Sequence, residues 1–388
     1  MKGHIRERSP GHYAIILDAH DLQTGKRKRR WHSFEGTKRQ AQIECARLIS
    51  EMQGGGAVDP SRVTVGDFLD RFERDWVAVH VSPHSAGRYA GALGHVRRHL
   101  GNAQLQKLRP ADIAALYAAL SRAGLAARTI RLIHVVLHRA LGQAKTWGVI
   151  RDNPADNAKA PKAPDRETEM LQPDQARELL DRLRGQPLYL LASLALATGM
   201  RRNEMLALRW QDVDLDAGRL TIERSLEQTR THGIRIKSPK TRKGRRSIML
   251  PQATVSALRG HWRAQQEQRL ELGIGKAPAD SPVLATFDGG PQSPTAVTKR
   301  WTYAMEALGM PGVTLHSLRH THASMLIASG VDILTISRRL GHSSPTITLN
   351  TYGHLVVGGD DKAAQVMNAA LNGSKRVADS AKEPGLSR

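Results

Sequence analysis

Two breaks in the helical patterning constrain this chain more than anything else in it. "GGGAVDPS" (Gly54 to Ser61) and "NPADNAKAPKAPDRE" (Asn153 to Glu167) gather glycine and proline, residues that end helices and make linkers. They cut 388 residues into three modules, with room for each of the larger two to bury a core of its own. The division predicted is 1–57, 62–160 and 168–372, followed by a polar tail at 373–388.

In the first module, "GHYAIILDAH" has strand-forming residues and "DLQTGK" supplies turn chemistry with Gly25. "RKRRWHSFE" reads as a basic strand. "TKRQAQIECARLISEMQ" reads as an amphipathic helix with Ile43, Ala46, Leu48 and Met52 on its apolar positions and Thr37 as N-cap. A basic strand carrying Arg27, Lys28, Arg29, Arg30 and Trp31 suits an exposed β-surface entering a DNA groove, and equally a solvated charged edge. The second module, from Thr64 to about Asn157, shows four to five helical stretches parted by Gly or Pro. The third begins helical, passes through the β-rich "RLTIERSLEQTRTHGIRIKSPKTRKGRRSIMLP", and ends in helices.

Charge bears on partners. A formal net charge of +22 attracts polyanions at long range, nucleic acid above all. A membrane surface is the competing polyanion, but the arginines are spread along the chain and not gathered on one amphipathic helix. The apolar run "PLYLLASLALATGM" (Pro187 to Met200) is too short to span a bilayer and reads as a buried helix. The first residues, "MKGHIRERSPG", lack the apolar core of a signal peptide. One cysteine, Cys45, makes no internal disulfide, which points to a reducing, intracellular setting. Although there are 17 histidines, they show no HExxH-type spacing, so no metal ligands are assigned.

Four stretches of the third module carry candidate chemistry. In "ATGMRRNEMLALRWQDVD", Arg201 and Glu204 are three apart and share a helix face. "SPKTRKGRRSIMLP" sets Lys240 just before a basic turn. "TLHSLRHTHASMLIASG" places His316 and Arg319 at i and i+3. "LGHSSPTITLNTYGH" has His342 after Gly341, and Tyr352 ten residues later. Each alone reads as something ordinary: a salt bridge, a solvated charge run, a surface helix, a half-buried packing tyrosine.

Taken in order, Arg, Lys, His-x-x-Arg, His, Tyr, they resemble the tyrosine recombinases, specifically phage-type integrases, along most of the chain. The resemblance implies a multidomain fold, mainly α with small β-sheets. An N-terminal β-plus-helix module would bind arm-type DNA, a helical domain would bind core DNA, and an α+β domain would carry catalysis. It puts Arg201, Lys240, His316, Arg319, His342 and the nucleophile Tyr352 at the catalytic positions, with Glu204 in support. Lys240 is favoured over Lys237 and Lys243 because it matches the family's lysine before the turn.

The implied activity is site-specific DNA recombination for a phage or integrative element. It would proceed without metal or cofactor, through a 3′-phosphotyrosyl intermediate and a Holliday junction. The implied partners are double-stranded DNA at core and arm sites and three further copies in a tetramer, with accessory DNA-bending or directionality proteins as candidates. The setting would be the cytoplasm of a bacterial host, in association with the nucleoid. Two other readings share the fold: a type IB topoisomerase that relaxes DNA as a monomer, and a DNA-binding protein without catalysis. The terminal helix "DKAAQVMNAALNG" would pack on a neighbouring protomer or on its own chain.

Overall fold

The computed structural model describes residues 3–20, 27–53, 61–164, 169–229, 233–238, 244–355 and 359–372. The chain forms two compact units, Met1–Asp165 and Arg166–Arg388.

The first unit opens with an antiparallel sheet, β1 (Gly3–Ser9), β2 (His12–His20) and β3 (Arg27–Glu35), in the order β1-β2-β3. Its register aligns Ile5 with Ile15 and Ile15 with His32, so alternate residues reach opposite faces. One face, with Ile5, Ile15, Leu17 and Phe34, packs with α1 (Lys38–Gln53) around Cys45, Leu48 and Ile49. The helix face expected from the sequence is therefore corrected. Ile43 and Ala46 are exposed, and Ala41 and Cys45 are the buried positions. The spacing 41, 45, 48, 49 is the better helical stripe, because small Ala41 and Cys45 let the helix approach the sheet closely. Thr37 does cap α1: its hydroxyl accepts from the Gln40 amide, while the Gln40 side chain accepts from the Thr37 amide.

The same unit continues as a helical bundle. A single helical run is made of α2 (Val65–Phe72), a π-helical turn (Glu73–Val77) and α3 (Ala78–His80). After it come α4 (Pro83–Leu100), α5 (Pro110–Arg122) and α6 (Ala127–Thr146). Thr64 and Asp67 form a reciprocal capping box at the start of α2. The core comes from helical stripes such as Val65, Phe68, Leu69 and Phe72 on α2 and Ile130, Ile133, Leu137 and Leu141 on α6.

The second unit begins with α7 (Pro173–Leu183), α8 (Tyr189–Thr198) and the short α9 (Arg202–Met205). Then come β4 (Val213–Asp214), β5 (Arg219–Ile222), β6 (Ser225–Thr229), β7 (Gly233–Lys237) and β8 (Arg246–Met249). The chain finishes in α10 (Gln252–Glu271), α11 (Pro294–Ala307), α12 (Leu315–Ala328), α13 (Ile333–Leu340), α14 (Pro345–Tyr352) and α15 (Gly359–Asn372). The β-rich section divides in two, a sheet of order β4-β5-β8 and a hairpin β6-β7. As its uniform apolarity suggested, α8 is the buried centre, apolar on nearly every face. On α15, Val366, Met367 and Leu371 are exposed. No described helix is long and apolar enough to cross a membrane.

Candidate active site

The site is assembled where helices end. Two glycines in the left-handed region, Gly199 (φ 65°) and Gly341 (φ 66°), close α8 and α13, a conformation that costs glycine no Cβ clash. A helix C-terminus leaves carbonyls without intrahelical partners and carries a partial negative charge. Here guanidinium groups take them. Arg319, on α12, donates to Gly199 O at 2.5 Å and to Leu340 O at 2.8 Å. Arg246, on β8, donates through Nε to Arg339 O at 2.6 Å. Arg201, the N-cap of α9, reaches Gly341 O at 3.4 Å. Three consecutive carbonyls at the end of α13 thus orient three arginines. A Cβ on Gly341 would lie 2.6 Å from Arg246 Nη1, so the absence of a side chain there is also a packing requirement.

Glu204 joins two of those arginines. Its carboxylate accepts from Arg201 Nη1 at 2.8 Å and from Arg246 Nη2 at 2.8 Å, and also from the Arg201 backbone amide at 3.0 Å. Burial opposes its charge, yet Arg246 and Arg201 outweigh that and hold the carboxyl below its ordinary range. Arg319 is only 2% exposed. Burial, with Arg201 beside it, draws its pKa down to about 9, which leaves it charged at neutral pH.

His316 and His342 open onto a cleft of about 790 Å³ together with Arg201 and Glu204. Withdrawal from water, then Arg319 and Arg201, lower the pKa of His316. His342 lies 2.8 Å from Thr348 Oγ1 through Nδ1; burial first, then Arg319 and Arg201, take its pKa down to about 4. Tyr352 is the last residue of α14 and is 2% exposed. Burial raises its phenol to about 12 despite the opposing pull of Arg319. Its hydroxyl hydrogen-bonds His320 Nδ1 at 2.7 Å.

Six of the seven residues singled out in this unit therefore lie among these helix ends. The seventh, Lys240, falls outside the described residues. Ser238 and Gly244, the nearest described positions on either side of it, both line the cleft. Lys237 also lines the cleft and is paired with Glu227. In the first unit, Trp31 is 54% exposed, with the Arg8 guanidinium 5.6 Å from its ring centre. Arg29 is exposed as well, while the side chains of Arg27, Lys28 and Arg30 are outside the described set. Among the described residues, no three of His, Cys, Asp or Glu are grouped to hold a metal ion.

Sequence reasoning missed Arg246, Arg339 and His320. Arg246 carried a signal: it precedes buried Ile248 by two in a strand, so alternation points it inward, where an arginine needs a partner. Arg339 and His320 had none, since their partners are His322 and the carbonyls of Ala197 and Met249 for one, and Tyr352 for the other.

Comparison with known proteins bears on the family and the fold of the chain. The family model of the phage integrase family matches residues 169–357. A tyrosine recombinase XerC-like protein of Caldanaerobacter subterraneus subsp. tengcongensis is 26% identical over 379 residues, covering 92% of this chain and 96% of that protein. Tyrosine recombinase XerC of Xylella fastidiosa is 30% identical over 309 residues, 74% of this chain and 93% of its own. Among solved structures, the Tn1549 transposon integrase in complex with transposon right end DNA superposes with a TM-score of 0.67 at 20% identity. That match covers 79% of this chain and 99% of the other. A lambda integrase tetramer bound to a Holliday junction gives 0.55 at 22% identity, covering 89% and 94%. At these identities the two structures establish likeness of fold.

Proposed function

The chain belongs to the phage integrase family of tyrosine recombinases, and from that premise we propose that it cuts DNA through Tyr352 with the arginine cluster as its phosphate clamp. It is a site-specific recombinase, an enzyme that breaks and rejoins DNA strands. The observation that carries the residue assignment is the convergence of Arg201, Arg319, His316, His342 and Tyr352, with Arg201, His316 and His342 opening on one cleft.

Breaking a phosphodiester this way needs a nucleophile, charge stabilisation at phosphorus and a proton for the leaving oxygen. Tyr352 attacks and becomes a 3′-phosphotyrosyl, which keeps the strand's bond energy for rejoining. Arg201 and Arg319 present planar forks of donors to the non-bridging oxygens. Their orientation is set in advance by helix-end carbonyls, so little reorganisation accompanies the build-up of charge. His316 helps as the base that takes the phenol's proton, and His342 adds a hydrogen bond to the same phosphate. Glu204 is a buttress, engaged by Arg201 and Arg246 on either side. Lys240 serves as the acid for the 5′ oxygen; its place in the motif and the cleft-lining residues flanking it support this.

The tetramer, the Holliday junction and the arm and core sites follow the same reading. Its supports are the lambda integrase tetramer on a junction and the +22 charge. The three-module division and a bacterial cytoplasmic setting belong to this proposal too, as do accessory DNA-bending proteins. The relatives are recombinases and integrases, which favours strand exchange over topoisomerase-like relaxation or binding without catalysis.

A nicked suicide substrate that lets the 5′-hydroxyl strand diffuse away tests the assignment. The protein should become covalently trapped on DNA at Tyr352, in excess chelator as without it, and Tyr352→Phe should bind but trap nothing. A covalent adduct formed by the phenylalanine variant would move the nucleophile elsewhere.

A further inference from the structure

Arg246 commits its guanidinium to protein atoms from three segments. Nε donates to Arg339 O at 2.6 Å, and Nη2 to Glu204 Oε2 at 2.8 Å. Nη1 reaches Gly244 O at 3.2 Å and Glu204 Oε1 at 3.4 Å. Its side chain is 7% exposed, against 44% for that of Arg201. Gly244, Arg201, Glu204, Gly341 and His342 all line the cleft, and Arg246 is not in its wall. It therefore backs that wall and touches the pieces from which the wall is made.

We propose that Arg246 is a positioning residue for strand cleavage: it fixes Arg201 through Glu204, and His342 through the end of α13, without contacting DNA itself. This rests on Arg201 and His342 engaging the scissile phosphate. On the first side, Glu204 Oε2 also accepts from the Arg201 backbone amide at 3.0 Å, and Oε1 from Arg201 Nη1 at 2.8 Å. Each carboxylate oxygen is thus shared between the two arginines, so turning the carboxylate would turn the Arg201 fork with it. On the second side, Arg339 O lies two residues before Gly341 and three before His342. The guanidinium packs so closely there that a Cβ on Gly341 would stand 2.9 Å from its Cζ. The third contact, Gly244 O, is where the segment containing Lys240 leads into β8.

Only arginine suits this place. Its planar fork presents fixed donors on three nitrogens, whereas a lysine has one nitrogen at the end of a flexible stem. Stability alone does not call for the pair, since apolar residues of similar volume commonly hold such a site as well as a buried ion pair does. What apolar packing cannot supply is a fixed direction for the Arg201 donors, and cleavage depends on direction.

The test is single-turnover covalent trapping by the full chain on suicide DNA, over a range of DNA concentrations, with an intact fold confirmed by a thermal melt above the assay temperature. Arg246→Lys keeps the charge beside Glu204 but offers one nitrogen where three are used. It should form adduct roughly 10- to 10²-fold slower at saturating DNA, as for a misplacement of about 1 Å, with half-saturation at the wild-type DNA concentration. A folded Arg246→Lys protein that traps at the wild-type rate would overturn the proposal. So would an unchanged rate with half-saturation at higher DNA, which would make Arg246 a DNA contact. Combined with Glu204→Gln, the loss in rate should be smaller than the product of the two single losses, because both changes act on Arg201. Losses that multiply in full would show a general structural effect and overturn it too. Should Arg246→Lys not fold, Glu204→Gln carries the same comparison of rate with half-saturation, and a wild-type rate there counts against the proposal. Arg201→Ala trapping as fast as wild type would instead sink the phosphate-clamp reading, a result separate from these.

Discussion

Glu204 is a carboxylate with almost no water around it and two guanidinium partners. Removing one partner of a buried ion pair leaves an uncompensated charge, at about 3–5 kcal/mol. Arg246→Met should therefore lower the unfolding free energy of the second unit, read from urea titration, by an amount of that order. The double variant with Glu204→Gln should recover part of the loss, because the stranded charge is gone. A single variant as stable as wild type would show that Arg201 alone satisfies the carboxylate. Lys240 is tested differently, by leaving-group chemistry. Lys240→Ala should be slower by roughly 10²–10⁴-fold on ordinary DNA and recover with 5′-bridging phosphorothiolate DNA. Arg201→Ala should not recover comparably, since a better leaving group does not neutralise charge at phosphorus. Lys237, already paired with Glu227, should not show the rescue; if it does, the acid is Lys237.

Helix ends, more than helix faces, build the site. At the end of α8, His322 Nδ1 lies 2.7 Å from Leu196 O, and its Nε2 accepts from Arg339 Nε at 3.2 Å. The ring thus pins α12 to both α8 and α13 in its neutral form, since a proton on Nε2 would face the Arg339 guanidinium. Burial first, with the Arg339 and Arg319 charges, takes its pKa down to about 4. The unfolded chain holds a histidine near 6.5 and so binds the proton earlier than the folded chain does. The stabilisation from His322 is then complete above about pH 6.5 and is lost as the pH falls toward 4. Thermal midpoints followed across that window should decline in the wild type and decline less steeply in His322→Gln. His320 and His342 shift in the same direction, so the slope should shrink without vanishing. Equal slopes in the two proteins would dissociate the pin from the pH response.

At the scale of the molecule, the +22 charge makes DNA binding a salt-dependent sum over separate surfaces. The N-terminal sheet offers an exposed Trp31 with Arg8 against its ring, on a strand that begins Arg-Lys-Arg-Arg. Deleting residues 1–57 should leave core-site binding and strand cleavage in place while weakening arm-site binding and integration. Every DNA phosphate that the truncated protein no longer neutralises should flatten the plot of log K against log salt by roughly 0.9. A truncated protein that binds every site with the full-length affinity and slope would reduce that strand to a solvated edge.

Local rules written into the sequence determined much of this protein. Period-3.6 stripes marked most helices, and β3 stands at Arg27–Glu35 as its composition predicted. The order of Arg, Lys, His-x-x-Arg, His and Tyr was readable because the chemistry of phosphate transfer restricts which residue types can serve. Ile43 was misplaced because several apolar residues on α1 could form a stripe, and only the sheet beneath selects one. The partners of the proposed catalytic groups were not readable at all. Arg246 meets Glu204 across 42 positions, Arg319 meets Gly199 across 120, and Arg201 meets Gly341 across 140. Such pairs depend on where the ends of α8 and α13 come to rest, and that is decided by packing around α8. Orphan carbonyls and buried charges acquire partners only after those helices meet, so tertiary structure alone assigned them.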